Sequence, residues 1–213
     1  LPSYYVASKN STNSDGIRVD FAVREQTSAV GLLQRIASQS DCRQTWEDGR
    51  HKIIRRPEPD VSLPVFKAID KSIVRIAPPI AISRSEVNQV ITRIQANYKV
   101  YPVTGETSKA IELFDSGQEA NTRIGRRATT IDITLVRDDT TASAVTQRKL
   151  DREKRPRWSV SFVVPLEGLE LRFGDLVSLD HPEFSFSVGE VVGLNFTTSG
   201  FKQVKVDCVV WYL

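Results

Sequence analysis

The chain has 213 residues, a formal net charge of +3, 40% apolar and 26% charged residues, the balance of a globular protein with one large domain or two modest ones. No apolar run exceeds the six residues Cys208 to Leu213, which excludes a transmembrane helix, and only two cysteines, Cys42 and Cys208, exclude a disulfide scaffold. The charge is too small to argue for nucleic acid or membrane, whereas 54 Val, Ile and Thr against 14 Leu point to strands. Methionine is absent, also at position 1, so the chain is read as a processed piece or an excised fragment.

Residues 1–15 are rich in Ser and Asn, lack periodicity and read as a loop or linker. Ile17, Val19, Phe21 and Val23 alternate with polar neighbours, the pattern of a half-buried strand. Thr27 or Ser28 then caps a short helix carrying Val30, Leu33, Ile36 and Ala37 on one face. Cys42, Gln44 and Trp46 alternate up to Asp48-Gly49, and His51 to Arg55 returns; Asp-Gly favours φ > 0 and marks a hairpin. Residues 16–62 thus form a β-α-β-β unit, closed by the proline-rich stretch Arg56 to Pro64.

Residues 63–213 form a strand-rich, β-barrel-like domain with one flanking helix. Its completion by residues before Leu1 is left open. Ser72 to Ile82 reads as two short strands broken at Pro78-Pro79. Val90, Thr92, Ile94, Ala96 and Tyr98 share one face of a long strand, which ends at the loop Pro102 to Glu106. A strand at Ala110 to Phe114, a polar helical turn at Ser116 to Arg123 and a strand through Thr129, Ile131, Ile133 and Leu135 follow. Asp138-Asp139 caps a helix to about Lys154, with acids early and bases late to suit its macrodipole, and Pro156 stops it. The rest is strand: Trp158 to Val164, Leu176 to Leu179, Phe186 to Phe196 and Phe201 to Tyr212. The last two are joined by a hairpin-length connection at 197–200. The fold class is α+β, strand-dominated.

The chemistry-bearing residues are sparse. His51 and His181 have no metal-ligand neighbourhood in sequence, and His181 in Asp180-His181-Pro182 reads as a strand-end turn. No nucleophile elbow, phosphate loop or dinucleotide fingerprint occurs. No catalytic, cofactor-binding or metal site is therefore assigned, and the chain is read as not an enzyme. Gln147 to Arg157 is the densest basic stretch; a solvated helix face is favoured over a nucleic-acid surface, for which Trp158 alone is too little aromatic platform. Trp46, Trp158 and Trp211 could stack on sugars if exposed, but their alternation favours the core for all three. Cys42 and Cys208 read as buried free thiols. The final strand becomes apolar on both faces, so Val209, Trp211 and Tyr212 are expected at a domain or subunit contact.

One stretch is more specific. Trp158 to Val164 followed by Leu166-Glu-Gly168-Leu169-Glu-Leu171-Arg-Phe-Gly174-Asp175, a short strand to Leu179 and His181-Pro182 resembles the closing barrel strands of bacteriophage tail and baseplate hub (tail tip) proteins. The approach to the helix through Leu135-Val-Arg-Asp-Asp139, the Pro102-x-Thr104-Gly105-Glu106 loop, and Leu32 to Ala37 followed by Trp46-Glu-Asp-Gly49 resemble that family as well. In the turn itself, Gly168 and Gly174 permit φ > 0 and Asp175 suits re-entry into a strand. The resemblance implies a structural virion protein, assembled in the host cytoplasm, that trimerises and joins the tail tube to the tip. Its implied partners are tail-tube and tail-tip proteins, with no membrane, no cofactor, and DNA passing a lumen without specific binding. The alternative is a carbohydrate-recognising or carbohydrate-cleaving tail-tip module.

Overall fold

A computed structural model of the chain describes residues 28–47, 49–56, 65–70, 74, 79–101, 104–165, 170–196 and 203–212. The strand expected at 17–23, the linker at 57–64, Leu166, Gly168, Leu169 and the connection at 197–200 lie outside the described residues. The chain divides into two compact units, residues 1–56 with 90–155, and residues 57–89 with 156–213. Residues 90–155 thus join the N-terminal part, a grouping that local patterning did not make.

The first unit begins with α1 (Ala29–Gln39). Ser28, extended at φ −62°, ψ 138°, caps it by accepting the Gly31 N–H at 3.0 Å, which satisfies one of the orphan donors of a helix start. The backbone then turns through Asp41 at φ 57°, a left-handed conformation that Asp tolerates better than most residues. The hairpin β1 (Cys42–Glu47) and β2 (Arg50–Arg55) follows in the expected register, with Trp46 opposite His51 and Gly49 at φ 72° in the turn.

A three-stranded sheet completes this unit. Its centre, β5 (Arg93–Val100), pairs antiparallel with β6 (Thr107–Phe114) and parallel with β7 (Ala128–Ile133). The face read from the sequence is buried throughout: Val90, Thr92, Ile94, Ala96 and Tyr98. Thr92 fits there because its hydroxyl accepts the Arg127 N–H at 2.8 Å and donates to the Gly125 carbonyl at 3.2 Å. A single turn, α2 (Ser116–Glu119), links β6 to β7. The strand ends at Ile133, two residues sooner than expected; Leu135 and Val136 are buried in the following turn. α3 (Asp139–Glu153) is capped by Asp138, which accepts the Thr141 N–H at 2.8 Å, and it packs on β5 and β6. The helix expected to flank the barrel-like domain therefore covers the sheet of the first unit.

The second unit is a six-stranded sheet. β3 (Lys67–Asp70) and β4 (Ala81–Arg84) are its edges, and β9 (Leu176–Asp180), β10 (Phe186–Phe196), β11 (Gln203–Tyr212) and β8 (Trp158–Pro165) lie between them in that order. Among the described residues the sheet is open, with no pairing of β3 to β4 that would close a barrel. Of the two short strands read at 72–82, the first lies outside the described residues apart from Val74 and the second overlaps β4, whereas β3 was not read from the sequence. Four residues carry too little pattern, and the partner that makes it a strand is β9, parallel and over a hundred residues onward. Val160, Phe162 and Val164 of β8 pack with Val204, Val206, Cys208 and Val210 of β11, and Val177, Leu179, Val191 and Ile69 extend that core. Full burial of such side chains contributes about 1.5–3 kcal/mol each. On the opposite face Val209 is half-buried beside buried Glu190, its cross-strand partner; the side chains of Trp211 and Tyr212 are not described.

The turn before β9 follows its sequence pattern. Gly174 has φ 88° and donates to the Val191 carbonyl at 2.9 Å, while the Asp175 carboxylate accepts the Arg172 N–H at 2.7 Å. Gly117 has no such backbone; a Cβ there would meet only the Asp115 carboxylate oxygen at 3.3 Å. Gly174→Val is expected to cost about 1–3 kcal/mol and Gly117→Val less than about 1 kcal/mol. Thermal midpoints of the two variants check this, and equal midpoints would refute the turn's role.

Candidate functional site

The residues that could carry chemistry are scattered. His181 follows β9, where its Nδ1 accepts the Glu183 N–H at 3.2 Å and its backbone is bonded to the Ser185 hydroxyl, the strand-end turn read from the sequence. Among the described residues no group of three His, Cys, Asp or Glu could hold a metal ion, and no helix is long and apolar enough to cross a membrane. Cys42 and Cys208 are free thiols, Cys42 half-buried and Cys208 buried. Burial, aided by Asp207 and Glu190, pushes the Cys208 thiol far above its ordinary range, and burial also raises that of Cys42, so neither favours a reactive thiolate.

The basic stretch Gln147 to Arg157 differs from the solvated face expected. Arg152 is 3% exposed, and its guanidinium pairs with the equally buried Asp41 carboxylate. It also donates to the Arg56 carbonyl at 3.2 Å. Asp41 precedes β1 and Arg56 follows β2, so one side chain holds both feet of the hairpin. Burial holds the Lys149 ammonium below its ordinary range, with Asp41 and Glu153 opposing the shift. Lys154 bridges Asp151 at 2.7 Å and Asp115 at 3.2 Å. The reason is geometric: Arg152 stands seven residues after buried Val145, on the stripe that faces the protein. Extending that stripe past the last apolar residue was the signal available in the sequence.

α1 is seated in the same unit by polar contacts. The buried Gln39 amide accepts the Leu135 N–H at 2.7 Å and donates to the Thr134 hydroxyl at 3.2 Å, and Arg35 donates to the same hydroxyl at 3.0 Å. With its feet and its helix fixed, the hairpin still presents Trp46 at 62% exposure. The expectation that Trp46 is a core residue is thereby overturned: Ala37 is buried, but Val30 at the other end of the helix is itself 43% exposed. Trp158 is half-buried against the core of the second unit, beside Phe184 and beneath the Arg84 guanidinium.

Several further large apolar side chains on the surface belong to sheet edges and their flanks. All four residues of β4 are exposed, including Ile82, and Phe66 immediately precedes β3. Tyr101 and Phe114 bracket β6, whose first four residues are exposed. Arg93 lies 4.5 Å over the Phe114 ring and is itself bonded to Glu119 and Glu112. An open edge offers unpaired backbone groups to another chain, and charged side chains on it limit indiscriminate pairing; Arg84, Lys67, Lys109 and Glu112 occupy such positions.

A family model described as "Putative phage tail protein" matches residues 28–191, most of both units. The chain belongs to this family of phage tail proteins. Solved structures share the tail protein's fold at low identity. A chain in the virion of a native gene transfer agent particle aligns with TM-score 0.64 and 17% identity, over 98% of this chain and 47% of that one. A tail protein from Neisseria meningitidis MC58 aligns with TM-score 0.56 and 12% identity, over 89% of this chain and 56% of that one. The 43 kDa tail protein of prophage MuSo2 from Shewanella oneidensis gives 0.53 and 15%, over 95% and 64%. The tail protein thus spans between about half and two thirds of the length of these structures. No curated protein sequence matches it.

The buried pair offers a test of the unit's construction. Arg152→Met leaves the Asp41 carboxylate buried without its counter-charge, at an expected cost of about 3–5 kcal/mol. Exposed Arg155→Ala should cost less than about 0.5 kcal/mol. Urea unfolding of the two variants measures the difference, and similar midpoints would show that the basic end of α3 is uniformly solvated.

Proposed function

We propose that this tail protein is a hub or tip component that joins the tail tube to the tip and acts as a homotrimer within the virion. The observation that carries the reading is the set of sheet edges left open among the described residues. β3, β4 and β6 carry charged guards and are flanked by the exposed Phe66, Ile82, Tyr101 and Phe114. Specific edge-to-edge contact satisfies backbone groups and buries those side chains together. Membership of a phage tail protein family supports a structural role. In this reading tail-tube and tail-tip proteins are the partners, the strand-rich second unit serves as a barrel-like module of the ring, and DNA passes through the lumen without specific binding. The protein works by assembly and turns over no substrate.

Native mass spectrometry of the purified chain at rising concentration tests the reading. A trimer is the expected species, and a persistent monomer at high concentration would overturn it. Ile82→Glu places a charge on the exposed edge β4 and should shift the equilibrium toward monomer while leaving the thermal midpoint within about 1–2 °C of the parent.

A further inference from the structure

The hairpin and α1 line a wide-open cleft of about 440 Å³ whose walls include Val30, Gln34, Ser38, Gln44, Trp46 and His51, a volume in the range of small-molecule sites. We propose that this cleft binds a pyranose ring of a glycan, with Trp46 as the stacking platform and Gln44 as the polar anchor. The site goes beyond the assembly role and does not depend on it.

Two independent observations meet in the cleft. Trp46 exposes 62% of its surface, and its ring and that of His51 meet nearly at right angles at a centroid distance of 4.5 Å. That contact restrains the indole without covering it, a pre-set surface that loses little freedom on binding. The second observation is the Gln44 amide. Its Nε2 lies 2.8 Å from His51 Nδ1, whereas its Oε1 is buried with no hydrogen-bond partner. Turning the amide over would only exchange which arm is orphaned. An unsatisfied buried polar arm is costly to the free protein, and a rotation of the amide toward a ligand that supplies the complement relieves it.

The chemistry of the walls selects the ligand class. A pyranose has an apolar C–H face, which suits an indole, and a rim of hydroxyls that both donate and accept. The cleft pairs one indole surface with Gln44, Gln34, Ser38 and the cationic Arg43, all able to bond sugar hydroxyls. The Ser38 hydroxyl donates to the Arg35 carbonyl at 3.0 Å, so toward a ligand it presents its lone pairs. A partner helix would instead require a continuous apolar stripe, and Gln34 and Ser38 interrupt the helical wall. No carboxylate lines the cleft among the described residues, while glycoside cleavage ordinarily needs two.

Titrating maltotriose and chitotriose, each to about 10 mM, into the ¹⁵N-labelled full chain tests this by NMR. The expected result is a saturable shift of one indole N–H resonance, identified as Trp46 by its absence from the Trp46→Ala spectrum. Gln44→Leu, which keeps the indole signal, should weaken that binding about tenfold. The absence of a saturable shift with both sugars would overturn the proposal, as would unchanged affinity in Gln44→Leu. A Trp46 signal that moves with protein concentration alone would assign this face to a second copy of the chain and overturn it as well. Because binding is read on the free protein, a failed assembly experiment leaves this result intact.

Discussion

The buried pairing of Asp41 with Arg152 is the constraint on which the first unit depends. A two-stranded hairpin has too little apolar face to be stable alone, and β1 and β2 pair with no third strand among the described residues. The hairpin is held at its feet, where Arg152 meets the Asp41 carboxylate on one side and the Arg56 carbonyl on the other. Neither charge is cheap to bury; each offsets the other's charge, while the second Asp41 carboxylate oxygen is buried without a hydrogen-bond partner. Because Arg152 comes from the last turn of α3 and α3 is packed on β5 and β6, the hairpin is tied to the helix-covered sheet. Gln39 ties α1 to the turn after β7 in the same manner.

That mode of attachment explains why the hairpin face can carry an exposed tryptophan. Where apolar burial supplies the adhesion, large side chains must turn inward. Here polar and ionic contacts at the base do that work, and Trp46, Ile53 and Val30 remain at the surface. The second unit follows the opposite logic. Its sheet is held by a dry layer of Val, Leu and Phe, while the other face of β11 is organised around Asp207. This carboxylate receives Ser161 and Asn195 and lies so close to Gly193 that a Cβ there would stand 2.7 Å from it. Polar order on one face and apolar order on the other leave the edges of the sheet as its unfinished surfaces among the described residues.

Much of this molecule was legible in its sequence because the signals are local. The period-two alternation of Val90 to Tyr98 depends on the pleat alone, and each of its five residues is buried. Ser28 and Asp138 cap helices because a short oxygen-bearing side chain reaches the free N–H groups of the next turn. Gly174-Asp175 and Asp48-Gly49 marked turns because only certain residues accept a positive φ. These determinants act within a few residues, and a linear reading is sufficient to find them.

What only the tertiary structure decided are the matters set by residues distant in the chain. β3 is a strand because β9 lies beside it in parallel, and four residues cannot announce that by pattern. Arg152 is buried because Asp41, 111 residues away in sequence, compensates its charge; taken alone, a basic helix end belongs in water. Trp46 is exposed because the helix over its hairpin face leaves that end uncovered, although alternation placed it with the core. Whether the strand-rich half closes into a barrel is likewise a question of edge pairing, and β3 and β4 do not meet within the described chain. Alternation and turn chemistry determined which residues form strands, caps and turns; the pairing of remote charges and edges decided which of them are surface, core and interface, because desolvation is settled by whatever arrives from elsewhere in the chain.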